Sequence, residues 1–356
     1  MRIFGKNKHG KKLLIDVGKT TIKFLITEGK YPDTLKILDY RLVHISAKNT
    51  EASLEELQEI IKHTCQSLNF KSGTARTLIK PQQEVVRVVE LPDIPVEELK
   101  KAAGYQLNRY VPFGRDEAIY DCYPIPGVSA VNGMIKCVLV AVRRTFVEQH
   151  CKLFEPSNIA PVVIDVEAVA IMNAYAAAGK AFNEKNEIPN DNQNIALVHL
   201  GASHTGLCVI RDNTPVASRS INIGAESVVN AVKEYLNVEP VIAIDKLSEE
   251  KNADDKVNDL IAEFVNSVCI ELKASLAYCK REFDVDVKRI YLTGGASNNV
   301  KITQLLSDVI NLSVHQFNPF RKIYLSGQVA ANDDFQNNAL SFVPLFALAV
   351  RESYEE

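Results

Sequence analysis

Apolar positions along the chain recur in one distinctive arrangement. Residues 13–26 (LLIDVGKTTIKFLI) and 197–210 (LVHLGASHTGLCVI) each read as an apolar strand, a glycine with small hydroxyl residues, and a second apolar strand. Two apolar runs joined by a short glycine-bearing turn predict a β-hairpin. The equivalent glycines, Gly18 and Gly201, stand 183 residues apart, which predicts two similar lobes opening on the same hairpin. Between the hairpins, 84–91 (EVVRVVEL) reads as a strand and 95–110 (PVEELKKAAGYQLNRY) as a helix with acidic residues in its first turn. Residues 119–125 and 134–142 read as a strand pair around the turn 127–133, and 143–154 as a helix closed by Pro156. That β-α-β-β-α order predicts a small α+β unit inserted into the first lobe.

The stretch 183–194 (NEKNEIPNDNQN) is polar and turn-rich, a surface loop or linker before the second hairpin. Beyond it, 224–236 reads as a helix, and 248–256 (SEEKNADDK) as the exposed, charged start of a long helix over 257–283. Within that helix Leu260, Ile261, Phe264, Val268, Leu272 and Leu276 recur at helical spacing, so one face is buried. Residues 289–293 (RIYLT) form a strand running into Gly294 and Gly295, followed by a helix over 300–310. The apolar helix 338–350 is expected to pack back into the core.

Composition bounds the function without naming it. The chain has 356 residues, 46% of them hydrophobic and 24% charged, enough apolar content for two or three lobes with real cores. With 41 basic against 44 acidic side chains, net charge gives no electrostatic case for nucleic acid. Lys136 interrupts the best candidate for a membrane span, 131–142. The basic start, MRIFGKNKHGKK, has no apolar stretch or cleavage site of a signal peptide, so a cytoplasmic chain is expected. Seven cysteines (65, 122, 137, 151, 208, 269 and 279) show no C-x-x-C pair and read as small buried hydrophobes. His199 and His204 flank a glycine turn without carboxylate or cysteine neighbours, which argues against a zinc site.

Three turns carry the candidate chemistry: Gly18-Lys19-Thr20-Thr21, Gly201-Ala202-Ser203-His204-Thr205 and Gly294-Gly295-Ala296-Ser297. Glycine lets the backbone approach a phosphate closely, and main-chain N–H groups with Thr and Ser hydroxyls supply donors. Taken singly each reads as an ordinary turn; three in this order favour a bound nucleotide. Two hairpins are suited to clamp its phosphates, and a Gly-Gly turn at a strand end leaves room for adenosine. Asp16 ends the first strand, where a carboxylate would hold magnesium through water. There is no Walker loop and no G-x-G-x-x-G.

In order, these segments resemble the actin/sugar-kinase/heat-shock ATPase superfamily, and more closely its PilM-type branch, the actin-like protein of type IV pilus and competence machines. IDVGKTTIKFLI resembles the first phosphate motif and IALVHLGASHTGLCVI the second. PVASRSINIGAESVVNAV resembles the connecting motif, YLTGGASNNV the adenosine motif and NALSFVPLFALAVR the C-terminal helix. The inserted VVRVVELPDIPVEELKKAAGYQLNRYVPFGRDEAIYDCYPI, with its E-L-P and Tyr-Val-Pro-Phe, is similar to the subdomain of PilM-type and general-secretion relatives. The resemblance implies an α/β fold of two actin-like (ribonuclease H-like) lobes with a nucleotide cleft and a small α+β subdomain inserted in the first. Its implied divisions are 1–82 for the first lobe, 83–160 for the insert, and 161–192 for the first lobe again with a linker. The second lobe is then 193–232, a helical subdomain 233–288 and a core with the adenosine motif 289–320, and 321–356 returns to the first lobe.

The implied activity is that of an ATP-binding adaptor of an inner-membrane platform, cytoplasmic and held at the membrane through a partner. It would bind ATP or ADP with Mg2+ and grip the short cytoplasmic tail of a bitopic membrane protein, linking it to cytoplasmic assembly motor ATPases; a homo-oligomer or ring stays open. Nucleotide contacts are implied for Asp16, Gly18, Lys19, Thr20, Thr21, Lys23, Gly201, Ala202, Ser203, His204, Thr205, Glu226, Gly294, Gly295, Ala296 and Asn298. Tyr105, Tyr110 and Phe113 read as subdomain core, or, if exposed, as the lining of a groove for an extended peptide. Alternatives are an actively hydrolysing ATPase or small-molecule kinase, for which no acceptor base stands out, and a filament-forming cell-division relative. The latter carries a C-terminal amphipathic membrane helix that the ending RESYEE does not resemble.

One departure bears on turnover. Where active members of the superfamily carry Asp before the second-phosphate glycine, this chain has His199. Either a catalytic carboxylate is lost, or the imidazole itself orients water or touches a phosphate. Binding is therefore expected, with hydrolysis weak or absent. Lys19 stands where a small hydroxyl residue is usual. Asp165 resembles an acidic position of the family but equally suits a helix cap. The basic start (Arg2, Lys6, Lys8, Lys11, Lys12) reads as a solvated tail or as a segment brushing anionic lipid.

Overall fold

The computed structural model describes residues 10–45, 52–79, 84–125, 129–183, 194–212, 214–248 and 254–351. Most of the basic start, most of the linker 183–194, part of the turn 127–133, the stretch 249–253 and the last five residues lie outside them. In chain order the first strands are β1 (Lys12–Val17), β2 (Thr21–Glu28), β3 (Lys36–His44), β4 (Gly73–Ile79), β5 (Glu84–Pro92), β6 (Ala118–Pro124) and β7 (Met134–Arg143). They are followed by β8 (Ile159–Val166), β9 (Ile195–Leu200), β10 (Thr205–Arg211), β11 (Thr214–Ile221), β12 (Arg289–Thr293), β13 (Ser313–Gln316) and β14 (Tyr324–Leu325).

The chain divides into two compact units. One comprises Met1–Ala181, Lys322–Phe335 and Pro344–Glu356, the other Phe182–Arg321 and Gln336–Val343. The first holds a six-stranded sheet in the order β14-β3-β2-β1-β4-β8, the second a five-stranded sheet in the order β11-β10-β9-β12-β13. In each, three antiparallel strands are followed by two parallel ones. Five strands of the first sheet thus repeat the topology of the second, and the predicted hairpin repeat is its first half. β9 (IALVHL) is buried at every position, as a central strand covered on both faces requires.

Local signals set the helix ends. Ser53 and Glu56 form a capping box at the start of helix Leu54–Ser67. Asp254 accepts from the amides of Lys256 and Val257 and starts the long helix at Asp255, two residues before the position its apolar pattern predicts. A separate helix, Pro240–Ser248, precedes it, with proline in the first position where its missing N–H costs nothing. The predicted C-terminal helix is divided: Asp333–Asn338, a 3-10 turn Ala339–Phe342, then Val343–Val350.

The insert forms its own three-stranded antiparallel sheet, order β5-β7-β6. Helix Val96–Gln106 covers one face, over a core that includes Val89, Leu91, Leu99, Ala103, Leu107, Cys122 and Leu139. The helix after β7, Arg144–Lys152, attaches to the first unit's sheet instead: His150 hydrogen-bonds Thr77 of β4 at 3.0 Å.

Within the first unit, the end of the C-terminal helix is tied to the sheet by cations. Buried Arg76 of β4 donates to the carbonyls of Leu348 (2.8 Å) and Arg351 (2.7 Å), and Lys12 reaches Ala349 O at 3.4 Å. The last carbonyls of a helix have no partners within it and carry its negative end, so a buried guanidinium satisfies both needs. Arg351 in turn donates to the buried Asp165 carboxylate at 2.6 Å. Arg76→Leu, which strands these carbonyls, is expected to lower unfolding free energy by about 1–3 kcal/mol. Denaturant titration of the variant checks this, and an unchanged midpoint would show that the carbonyls find other partners.

Candidate functional site

The turn between β9 and β10 is the most tightly built of the three glycine turns. Leu200 pairs with Thr205, so Ala202 and Ser203 are the two loop residues, closed by Gly201 N donating to His204 O at 3.0 Å. The next segment fastens it from outside: the amides of Ala225 and Glu226 donate to Gly201 O (2.9 Å) and Ala202 O (2.8 Å). Glu226 begins helix Glu226–Leu236, so that helix's N-terminus lies directly against the turn. The contact requires glycine at 224. A Cβ there would sit 2.2 Å from Ala202 O and 2.5 Å from His204 N. With the carbonyls of Gly201 and Ala202 engaged, the amides of Ala202 and Ser203 donate to no acceptor among the described residues. Two adjacent N–H groups beside a helix N-terminus make a cradle for an anion.

His199 lies buried below this turn. Its Nδ1 is 2.9 Å from Thr293 Oγ1, the residue directly across the parallel pair of β9 with β12. The His204 ring stacks at 6.3 Å with an interplanar angle of 24°, and Ser203 Oγ is 3.3 Å from His204 Nδ1. Two imidazoles and a threonine hydroxyl therefore lie together beneath the turn, where the resemblance noted in the sequence led to the expectation of a carboxylate. Thr293 is the partner that sequence reasoning missed. Only strand pairing places it beside His199, across 94 residues of chain.

The turn after β12 reaches the same strand end. Gly294 has φ +94°, and a Cβ on it would lie 2.4 Å from Leu200 O. Gly295–Asn298 makes one 3-10 turn in which Ser297 Oγ donates to Thr293 O at 2.6 Å. Asn298 is committed to the fold on both sides: Nδ2 donates to Gly295 O, and Oδ1 accepts from Leu340 N. Gly294 N also donates to Leu340 O, so the turn is buttoned to residues 339–342. Ala296 packs partly buried against the second unit's core.

In the first unit the β1–β2 hairpin has the same two-residue form. Val17 pairs with Ile22, and Gly18 N donates to Thr21 O at 2.9 Å, leaving Lys19 and Thr20 as loop residues. Asp16 and Lys23 face each other across the hairpin and form a 2.6 Å ion pair. The Asp16 carboxylate thus already carries a cation. A hydrated magnesium ion there would have to share that carboxylate with the Lys23 ammonium, so this residue fits a metal less well than the turns fit phosphate.

Asp165 is neither an open acid nor the helix cap. Its Oδ1 accepts from Val166 N at 2.9 Å and its Oδ2 holds Arg351. The carboxylate that meets the first-turn amides of helix Glu167–Asn183 comes from Glu84, far away in sequence.

Of the three aromatic candidates only Tyr105 is open, 81% exposed with the Arg115 guanidinium 5.2 Å from its ring centroid. Tyr110 and Phe113 pack against the insert's core, and Arg143 covers the Phe113 ring at 4.8 Å. The larger apolar surface is the sheet face opposite the helix. Strand register sets three rows across it: Glu84–Val142–Ile119, Val86–Val140–Asp121 and Val88–Val138–Tyr123. Val86 and Val142 are buried, while Ile119 (39%) and Tyr123 (42%) are open at the β6 edge.

Six of the cysteines are buried and Cys151 partly so. Burial pushes the Cys65 and Cys122 thiols up to about 12 and Cys269 to about 11, so they stay protonated hydrophobes. No helix among the described residues is long and apolar enough to cross a membrane.

A family profile described as type IV pilus assembly protein PilM matches residues 15–353. Among solved structures, a PilM–PilN type IV pilus biogenesis complex is similar with a TM-score of 0.79 and 18% identity, over 96% of this chain and 99% of the other. The ethanolamine utilization protein EutJ from Carboxydothermus hydrogenoformans is similar with a TM-score of 0.55 and 11% identity, over 98% of this chain and 92% of the other. At these identities the likeness is one of fold, the actin-like ATPase fold. No curated protein matches the sequence.

The close approach at Gly224 is open to a direct check. Gly224→Ala is expected to cost about 1–3 kcal/mol of stability through overpacking against Ala202. Amide exchange at Ala225 and Glu226 should rise with it; a wild-type denaturation midpoint with unchanged exchange would show that the turn yields easily.

Proposed function

The chain belongs to the type IV pilus assembly protein PilM family, and on that premise we propose that it is a nucleotide-binding adaptor that grips an extended, apolar tail of a membrane-anchored pilus partner. One observation carries the partner half of this reading: the insert's sheet has a second apolar face that its own helix does not cover. An extended segment laid along open-edged β6 would bury Ile119 and Tyr123, with aromatic and aliphatic anchors supplying most of the energy. A protein of the PilN kind is the occupant this reading names, because a similar structure is a PilM–PilN complex. The adaptor would sit at the cytoplasmic side of the inner membrane through that partner and pass its state to assembly motor ATPases.

For the nucleotide half, the support is the repeated build of the turns. The loop amides of Ala202 and Ser203 suit phosphate oxygens, and the Gly18–Thr21 turn repeats the geometry with Lys19 adding positive charge. Gly294 is packed against the Leu200 backbone, and exposed Gly295 beside it leaves bare backbone where an adenine ring can lie flat. ATP or ADP fits these residues, and Thr205 and Glu226 belong to the same frame. Hydrolysis is expected to be weak or absent, since His199 is buried against Thr293 and supplies no carboxylate for a metal or attacking water. On this reading nucleotide acts by favouring one conformation over another, which requires differential affinity and not turnover.

Calorimetric titration with ATP and magnesium, followed by phosphate release on the same preparation, tests the nucleotide half. Saturable binding without turnover is expected, weakened about tenfold or more in Lys19→Ala or Thr20→Ala; turnover lost in His199→Ala would make the protein an ATPase. For the partner half, Ile119→Lys should reduce affinity for a PilN-type cytoplasmic tail peptide at least tenfold while Tyr105→Ala leaves it unchanged. The opposite pattern would move the contact to the helix side of the insert.

A further inference from the structure

Glu84 is the first residue of β5, where the chain enters the inserted sheet, opposite Val142, where it leaves. Its side chain turns away from the insert. The carboxylate accepts from the backbone amides of Ala168 and Glu167, the first turn of helix Glu167–Asn183 in the body of the first unit. Glu84 thereby caps a helix to which it is joined only through the fold. The residue as a whole is partly exposed, but its Oε2 is buried with no hydrogen-bond partner among the described residues.

Among the described residues, two carboxylates bear on it. The Glu167 carboxylate faces it from the helix and the Asp165 carboxylate from the end of β8. Asp165 is held by Arg351 from the C-terminal segment, so that cation is already engaged. On β7 the facing residue is Val142, and the adjacent Arg143 is paired with Glu117. Burial, with the two neighbouring carboxylates, pushes the Glu84 carboxyl well above its ordinary value; the two amides pull the other way and do not prevail.

We propose that Glu84 is a proton-dependent latch between the inserted subdomain and helix Glu167–Asn183. With its proton bound, the carboxyl stays seated on the first-turn amides and the insert is held against the body of the unit. With the proton lost, repulsion from Glu167 and Asp165 and the cost of burying an unpaired charge favour withdrawal to solvent, and the joint loosens. The latch lies at the end of the same sheet face whose rows include Val86, Val88 and Ile119, so it governs how firmly that face is held. It does not depend on whether a nucleotide or a tail is bound.

The linkage has a definite sign. A carboxyl whose pKa is raised in the closed joint contributes stability that is fully present below its ordinary value of about 4.3. That stability is lost as pH rises toward the raised value. Amide exchange of the full chain, read as protection factors at Glu167 and Ala168 over a pH series, measures it. In the wild type, protection is expected to fall by up to tenfold per pH unit through this window. Glu84→Gln, which keeps the shape without the proton, should abolish the fall; Glu167→Gln should move it to lower pH by removing the stronger repelling charge. A fall of the same slope in Glu84→Gln would overturn the proposal, as would an unmoved window in Glu167→Gln. If Glu84→Gln does not fold, Glu167→Gln and the carboxyl resonance of Glu84 in the wild type decide: titration near pH 4, with a flat protection profile, rejects the latch.

Discussion

The end of strand β9 is where the second unit tolerates no side chain. Gly224 brings one segment so close to the β9–β10 turn that a Cβ would collide with Ala202 O, and Gly294 brings another as close to Leu200 O. Three stretches far apart in sequence thus share one strand end at backbone contact distance. Everything distinctive about the site follows from that crowding. The loop carbonyls of Gly201 and Ala202 are occupied by the helix beginning at Glu226, which leaves the loop amides pointing elsewhere. His199 is buried beneath, with Thr293 of the neighbouring strand β12 and the His204 ring of the turn beside it. A carboxylate at 199 would be desolvated in the same pocket and would need a cation to offset it. An imidazole needs only the threonine hydroxyl.

The first unit solves a different problem, that of tying remote segments to one sheet. Its C-terminal helix ends on Arg76, with Lys12 close by, and Arg351 closes the connection at Asp165. Each contact joins a strand of the sheet to the chain's last helical segment across more than 180 residues. The repeat seen in the two hairpins extends to strand order, yet the sites built on it diverge in charge. The first turn carries the Asp16–Lys23 pair, the second a pair of imidazoles.

The insert is a small sheet with two apolar faces and only one helix. Period-two alternation puts Val85, Val89 and Leu91 toward the helix and Val86 and Val88 on the other side. Strand β7, apolar at nearly every position, reads as buried on both faces. Here the second face is covered in part near Val86 and Val142 and opens toward β6. That gradient, from the covered joint at Glu84 to the open edge at Tyr123, makes the face suited to a docked chain and makes its anchorage matter.

Much of this was legible in the residues. The glycine-bearing hairpins, the inserted β-α-β-β unit and the long amphipathic helix follow from local pattern, because strand alternation, turn chemistry and helical spacing are properties of neighbouring residues, whereas the actin-like fold class came from the family resemblance. The quoted motifs also sufficed to mark the PilM-type branch. What the sequence could not give was any pairing set by tertiary approach. Nothing local says that Thr293 stands beside His199, or that Asn298 is spent on Leu340. Nor does it say that Tyr110 and Phe113 turn inward while Tyr105 stays out, or that helix Glu167–Asn183 is capped by Glu84 and not by Asp165. Those outcomes depend on strand order and on which segments meet at a strand end. Only the folded chain decides them, because hydrogen bonding and burial act on whatever is adjacent in space, however far apart it lies in sequence.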